Sequence, residues 1–210
     1  MTEKIKRDPV RAAVYFDGFN LYFGMRQQRW RKYYWLDIWA CSESLVNDRQ
    51  LVAAKYFTAD VSGSGGKVQR QQTYLNALLT HQPNLEIIKG KYLRKTIDCP
   101  HCVTPINRSE EKMTDVNIAT HLLNDAWKDV YDVAIIVSGD SDLVPPIATV
   151  RAEFPNKRIL VAFPPNRVSR HLKQTTTTFH INEKAFKNCQ LPPTVTKADG
   201  SQLHRPPSWS

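Results

Sequence analysis

Apolar positions along the chain fall into short continuous runs, separated by stretches with the spacing of helices. Residues 10–16, Val-Arg-Ala-Ala-Val-Tyr-Phe, are nearly all apolar and stop at Asp17-Gly18. That character suits a parallel strand covered on both faces. A helix is predicted from Phe19 to about Trp30, then a strand over 51–58. Val68, Tyr74, Leu75, Leu78 and Leu79 keep helical period over 67–81. Residues 85–88 and 92–93 read as another strand, interrupted at Gly90.

Residues 95–112 carry turn formers and the Cys99-Pro-His-Cys102 pair, which reads as an inserted loop. The strongest helical pattern covers 114–128. Its predicted inward stripe is Ala119, Leu122, Leu123, Ala126 and Trp127, with Asn117, His121, Asp125 and Lys128 outward. Residues 131–137 are the strongest buried strand. Residues 142–153 should follow as a helix despite Pro145-Pro146, since proline is tolerated in a first turn. A strand over 157–163, a short helix over 168–173 and a strand over 178–181 complete the alternation. From Gln190 the apolar period fades and prolines accumulate, as in a flexible tail over 190–210. Strands alternating with helices predict an α/β sandwich with a mostly parallel sheet. One domain over 10–189 is expected, preceded by an arm at 1–9.

Composition then narrows the functional classes. The 210 residues are 41% hydrophobic and 23% charged, which fits a globular chain better than a disordered one. No apolar run is long enough for a membrane helix, and the first residues lack a signal-peptide pattern. A cytoplasmic location without membrane association is the expectation. Twenty-nine Lys and Arg against 20 Asp and Glu leave a net charge of +9, which points to an anionic partner, with nucleic acid foremost. Four cysteines are too few for a disulfide scaffold. Cys99 and Cys102 resemble half of a zinc knuckle, but no second local pair completes it, which leaves a turn with free thiols as the favoured reading.

The scarce acids occupy chosen places. In parallel sheets ligands bind beyond the carboxyl ends of the strands. Asp17 follows the first strand directly, and Asp140 and Asp142 follow the strand at 131–137 in Ser138-Gly-Asp-Ser-Asp-Leu143. Stepping back from Ala126 through Leu122 and Ala119 reaches Asp115, at the start of its helix. Carboxylates gathered in one crevice need a cation between them. Mg²⁺ or Mn²⁺ suits oxygen donors and leaves positions for phosphate. Plainer readings stay open for each: a turn at Asp17-Gly18, a helix cap at Asp140 or Asp142, a helix-dipole partner at Asp115. Asn20 lies three residues after Asp17, within reach of the same side of the helix start.

Tyr15-Phe-Asp-Gly-Phe-Asn20, Lys112-Met-Thr-Asp115 and Ser138-Gly-Asp-Ser-Asp-Leu-Val-Pro145, in that order, resemble the NYN domain of the PIN-like nuclease superfamily. The resemblance spans about residues 10–181. It implies a Rossmann-like three-layer α/β/α sandwich and a Mg²⁺- or Mn²⁺-dependent site acting on RNA. Asp17, Asp115 and Asp140 match the family's acidic positions, with Asp142 beside them. Asn20 and Ser138 match its polar positions, while Leu143 stands where Phe often follows.

The sequence therefore predicts a metal-dependent endoribonuclease, with single-stranded RNA the favoured substrate and single-stranded DNA a second one. Asp17, Asn20, Asp115, Ser138, Asp140 and Asp142 form the site, and the four aspartates hold the metal. Substrate is expected along Arg26, Arg29, Arg31, Lys32, Lys112, Arg167 and Arg170. Trp30, Tyr33, Tyr34 and Trp35 interleave with the first of these as stacking surfaces, or else as core. The alternative is a non-catalytic nucleic-acid-binding or protein-interaction module with the same fold. A homodimer is compatible with either.

Overall fold

The computed structural model describes residues 9–61, 65–98, 102 and 105–209, with side chains for all but 92–98 and 105–112. The elements in order are β1 (Arg11–Asp17), α1 (Gly18–Gln27), α2 (Ile38–Val46), β2 (Gln50–Ala59), α3 (Gly65–His81) and β3 (Glu86–Asp98). There follow β4 (Pro105–Lys112), α4 (Thr114–Trp127), β5 (Val133–Val137), α5 (Val144–Glu153), β6 (Arg158–Phe163) and α6 (Arg170–Thr175). The chain closes with β7 (Thr177–His180), α7 (Glu183–Asn188), β8 (Thr194–Thr196) and β9 (Gln202–His204). Single 3-10 turns lie at Arg31–Tyr33, Ser141–Leu143 and Pro207–Trp209.

Six parallel strands stand in the order β3-β2-β1-β5-β6-β7, and β4 adds an antiparallel edge beside β3. The expected α/β sandwich is therefore present. Its two layers of helices follow from where each connection crosses. Leu21 and Met25 of α1, Leu45 of α2 and Leu78 of α3 pack on one face with Val14, Phe16 and Val137. Ile118 and Leu122 of α4, Ile147 of α5 and Leu172 of α6 pack on the other with Tyr15, Ile136 and Phe163. Every residue of β5, Val-Ala-Ile-Ile-Val, is buried. A fully buried side chain of the larger kind contributes about 1.5–3 kcal/mol relative to exposure. The chain winds outward from β1 on one side and from β5 on the other, so the gap between those two strands is the switch point of the sheet.

Local signals explain the helix starts. Asp17, Asp37, Ser169 and Asn182 accept N–H groups of α1, α2, α6 and α7 as N-caps. Pro145 and Pro146 sit in the first turn of α5, where no intrahelical partner is lost.

Four expectations are corrected. Residues 95–98 and 105–112 form a hairpin instead of an inserted loop. β3 runs unbroken through Gly90, which pairs with Ala59 of β2, and from Lys91 onward it pairs with β4 instead. Gly90 thus marks a change of partner where an interruption was read.

The predicted stripe of α4 is rotated. Thr114, Ile118, Leu122, Asp125 and Ala126 are buried, and Trp127 is 81% exposed. Asp125 turns inward because Lys55 and Tyr15 meet it there.

Aromatic residues 33–35 are core, with Trp35 fully buried and Tyr33 and Tyr34 nearly so. Of the two readings left open for that segment, the core reading is the one the packing supports.

Residues 190–209, predicted as a flexible tail, are packed. Leu191 and Val195 are buried, β8 pairs with β9, and Trp209 contacts Tyr34, Trp35 and Tyr74. Proline here directs a compact strap, and composition alone could not separate that from disorder. Residues 1–8 of the N-terminal arm and Cys99 of the cysteine pair lie outside the described residues. Among the described residues no helix is long and apolar enough to cross a membrane.

Candidate active site at the β1–β5 switch point

Asp17 ends β1 and Ser138 follows β5, two neighbouring strands whose carboxyl ends open on the same edge. The 3% exposed Asp17 accepts from the Asn20 N–H through Oδ1 at 2.9 Å, and from the Ser138 hydroxyl through Oδ2 at 2.9 Å. The Ser138 oxygen in turn accepts the Asp140 N–H at 3.0 Å. Asn20 returns the connection: its Oδ1 accepts the Gly139 N–H at 3.1 Å. Two segments some 120 residues apart are thereby clasped by reciprocal hydrogen bonds. A buried carboxylate with two donors is compensated, which makes its burial tolerable.

Asp140 caps the 3-10 turn Ser141–Leu143, its Oδ1 accepting the Asp142 N–H at 3.0 Å. It is half-buried, and Asp142 is exposed. Asp115 is half-buried in the first turn of α4, and α4 packs against β1 and against the Ser141–Leu143 turn. Met113, directly before α4, has φ 83°, a left-handed conformation uncommon for a side chain of its kind. The cap reading is therefore correct for Asp140, while Asp17, for which a turn was the plainer alternative, is an N-cap as well; both sit at the switch point. Ser138 is fully buried, so it positions Asp17 and does not face a substrate. Among the described residues the Asn20 side chain bonds through Oδ1, and no partner is found there for its amide NH₂.

Sequence reasoning missed Tyr56 as a neighbour, and it named Arg167 without its close seat against Gly139. A Cβ at Gly18 would stand 2.6 Å from the Phe57 carbonyl oxygen and 2.8 Å from the Tyr56 hydroxyl, so only glycine fits beneath that tyrosine. Burial, and secondarily the Asp17 charge, push the Tyr56 hydroxyl well above its ordinary pKa. Tyr56 stays a neutral phenol beside the carboxylate. The signal available in sequence was Asp17-Gly18 itself, for which only a turn was weighed, whereas the glycine serves close packing. At Gly139 a Cβ would meet the Arg167 backbone at 2.8 Å. Arg167, from the loop after β6, thus lies against the Ser138–Asp142 segment, with its Nε buried and unpartnered among the described residues.

The other predicted basic residues are placed less centrally. Arg26, Arg29, Arg31, Lys32 and Arg170 are exposed, and Lys32 pairs with Glu183 at 3.3 Å. The Lys112 side chain lies outside the described residues.

Carboxylate, amide and hydroxyl oxygens are donors for a hard cation. Among the described residues no group of three or more His, Cys, Asp or Glu is placed to hold a metal ion. Mg²⁺ is commonly held by only one or two carboxylates, with waters and substrate phosphate completing its octahedron. Asp17 and Asp140 bring two carboxylates to the switch point, the number that mode would need, and a closed four-aspartate cage is not formed by the described side chains.

The strand order and the acidic switch point together define a Rossmann-like α/β domain of the PIN-like kind. The chain belongs to the NYN domain family, whose model matches residues 11–183. A nuclease-like function is the general activity of that family. The chain is 29% identical to the 6-hydroxy-3-succinoylpyridine 3-monooxygenase HspA of Pseudomonas putida (strain DSM 28022 / S16), over an alignment covering 100% of this chain and 78% of that protein. A crystal structure of a Vibrio parahaemolyticus RIMD 2210633 protein of unknown function has the same fold, with a TM-score of 0.56 and 19% identity over 85% of this chain and 98% of that one.

Proposed function

We propose that this protein is a Mg²⁺- or Mn²⁺-dependent ribonuclease that cleaves internal phosphodiester bonds, single-stranded RNA being the favoured substrate. One observation carries the reading. Asp17 and Asp140, from opposite sides of the switch point, are joined through the Ser138 hydroxyl. Asp17 and Asp140 would hold the ion, with Asp142 and Asp115 acting through water. When bound, such an ion acidifies a water and offsets charge on a phosphate oxygen.

The chain's own groups do the rest. Ser138 and the Asn20 N–H hold the Asp17 carboxylate in one orientation. The Asn20 NH₂ is available to a phosphate oxygen or water. Arg167 brings a guanidinium, a planar donor suited to phosphate, against the same loop. The +9 net charge supplies long-range attraction for a polyanion.

The test compares cleavage of labelled single-stranded and duplex RNA and DNA in Mg²⁺, Mn²⁺ or chelator, beside Asp17→Asn/Asp140→Asn. Metal-dependent cleavage lost in the double variant supports the reading. Cleavage that survives the double change rejects this site. Binding without turnover favours the non-catalytic module. The Pseudomonas relative is named as a monooxygenase, which supports a second reading. Conversion of 6-hydroxy-3-succinoylpyridine by this chain, without RNA cleavage, would establish that reading instead.

A further inference from the structure

Large apolar side chains left exposed are not spread evenly over the molecule. Among the described residues they are Val10, Tyr22, Phe23, Leu79, Met113, Val116, Trp127 and Val168. Tyr22 and Phe23 lie in the turn of α1 after Asp17 and Asn20. Met113 and Val116 bracket Asp115, and Val168 follows Arg167. Five of the eight therefore rim the carboxylate edge, from α1 on one face of the sheet and from the start of α4 and the loop after β6 on the other.

The two aromatic members on α1, Tyr22 and Phe23, adjoin the half-buried Phe19. Phe19 and Phe23, one turn apart, have ring centroids 6.3 Å apart and planes inclined by 26°. Tyr22 meets Phe23 at 5.3 Å, and its inner side rests on the buried Tyr34 at 5.1 Å. Tyr22 is 38% and Phe23 40% exposed, while Leu21, Gly24 and Met25 bury the opposite face of α1. The rings are thus presented by a helix that is itself fixed. Arg26 continues the exposed face one turn beyond Tyr22, and Arg29, Arg31 and Lys32 are exposed in the segment that follows.

We infer that the Tyr22–Phe23 face of α1 is a stacking strip for unpaired bases of a single-stranded nucleic acid, leading its backbone toward Asp17 and Asp140. This inference rests on the proposed nucleolytic reading. Exposed aromatic faces beside a track of cations are the combination that binds single strands with little sequence preference. Bases already stacked in a duplex do not offer their faces to it. The strip takes the role weighed for residues 30–35, where Tyr33, Tyr34 and Trp35 are buried instead.

The test is fluorescence anisotropy in chelator, where no cleavage complicates binding. The probes are a labelled single-stranded RNA oligonucleotide, an abasic oligonucleotide of equal length and charge, and a duplex. Tyr22→Ala/Phe23→Ala keeps good helix formers on an exposed face. It should weaken binding of the base-bearing strand about tenfold or more. The abasic strand and the salt dependence should change little. Tyr22→Phe/Phe23→Tyr should restore affinity, and Phe23→Ala alone should show a smaller loss. Equal wild-type affinity for base-bearing and abasic strands would overturn the inference. So would an unchanged affinity in the double variant, or no binding to any strand. Tight, base-dependent binding without metal-dependent cleavage would retain the strip and reject the hydrolytic reading. Cleavage with unaltered binding in the alanine variant would do the reverse.

Discussion

The Ser138 hydroxyl donates to Oδ2 of Asp17 at 2.9 Å across 121 residues of sequence, and both groups are buried. The same oxygen accepts the Asp140 N–H. One hydroxyl thereby sets the distance between two carboxylate-bearing segments.

Ser138→Ala should leave one Asp17 oxygen and the Asp140 N–H without their partner. Stability should fall by about 1–3 kcal/mol in urea denaturation, the range for a buried polar group deprived of its bond. Metal-dependent cleavage should fall further than stability explains, by about tenfold or more at temperatures where the variant is folded. Unchanged cleavage in a folded Ser138→Ala variant would contradict the positioning role.

Lys55 and Asp125 form a buried pair at 2.9 Å beneath α4, with side chains 7% and 4% exposed. Tyr15 also donates to Asp125, at 2.7 Å. Burial, with the Asp125 charge, raises the Tyr15 pKa well above its ordinary value. Lys55→Met should destabilise by about 3–5 kcal/mol, because it strands a buried carboxylate. Lys55→Met/Asp125→Leu should cost less than the sum of the single changes. A double-mutant cycle by chemical denaturation measures that coupling, and strict additivity would refute it.

His121 faces Lys55 at 3.3 Å through Nδ1. Burial first, and the Lys55 charge second, lower its pKa below the ordinary 6.5. The unfolded chain then binds the proton more readily than the folded one. Stability from this group is complete above about pH 6.5 and declines as pH falls toward the folded pKa. His121→Gln should flatten the pH dependence of stability between about 7 and 5. A second loss should persist in that variant at lower pH. Asp129 is held below 3.8 mainly by Lys157 and Asp132 mainly by Arg11, and both release their stabilisation as pH falls through that region. Melting temperature against pH, in both proteins, separates the two windows.

Trp209 rests on Tyr34, Trp35 and Tyr74, and the Trp35 indole N–H donates to the Pro192 carbonyl at 2.8 Å. Arg205 ties the strap to the carbonyls of Lys32 and Trp209. Trp209→Ala should lower stability by about 1–3 kcal/mol, less than for a fully buried aromatic. Ending the chain at Cys189 should lower it more, and should expose Trp35 to quenching by iodide. A truncated protein with an unaltered melting temperature would show the strap to be dispensable.

Much of this architecture was legible in the order of residues. The apolar run ending at Asp17 and the one ending before Ser138 read directly as buried parallel strands, because two-sided burial leaves no polar alternation to confuse. Asp17 and Asp140 followed from the rule that such sheets carry ligands at their carboxyl ends. The phase of α4 did not follow. Asp125 is charged and was turned to solvent, whereas Lys55, on a distant strand, compensates it in the core. Likewise the aromatic content of 30–35 and of α1 looked alike in sequence. Only packing against Tyr74, Trp209 and Phe186 decided that the first would be core and left the α1 rings at the surface.

The sequence by itself determined the alternation of strands and helices and the acids at their junctions, since both depend on local pattern and chain direction. Tertiary structure alone decided that Ser138 serves Asp17, that Asp125 is buried, that the proline-rich end is a strap, and which aromatics remain available. Each of those outcomes depends on partners far along the chain, whose compensation of charge or coverage of apolar surface no local window contains.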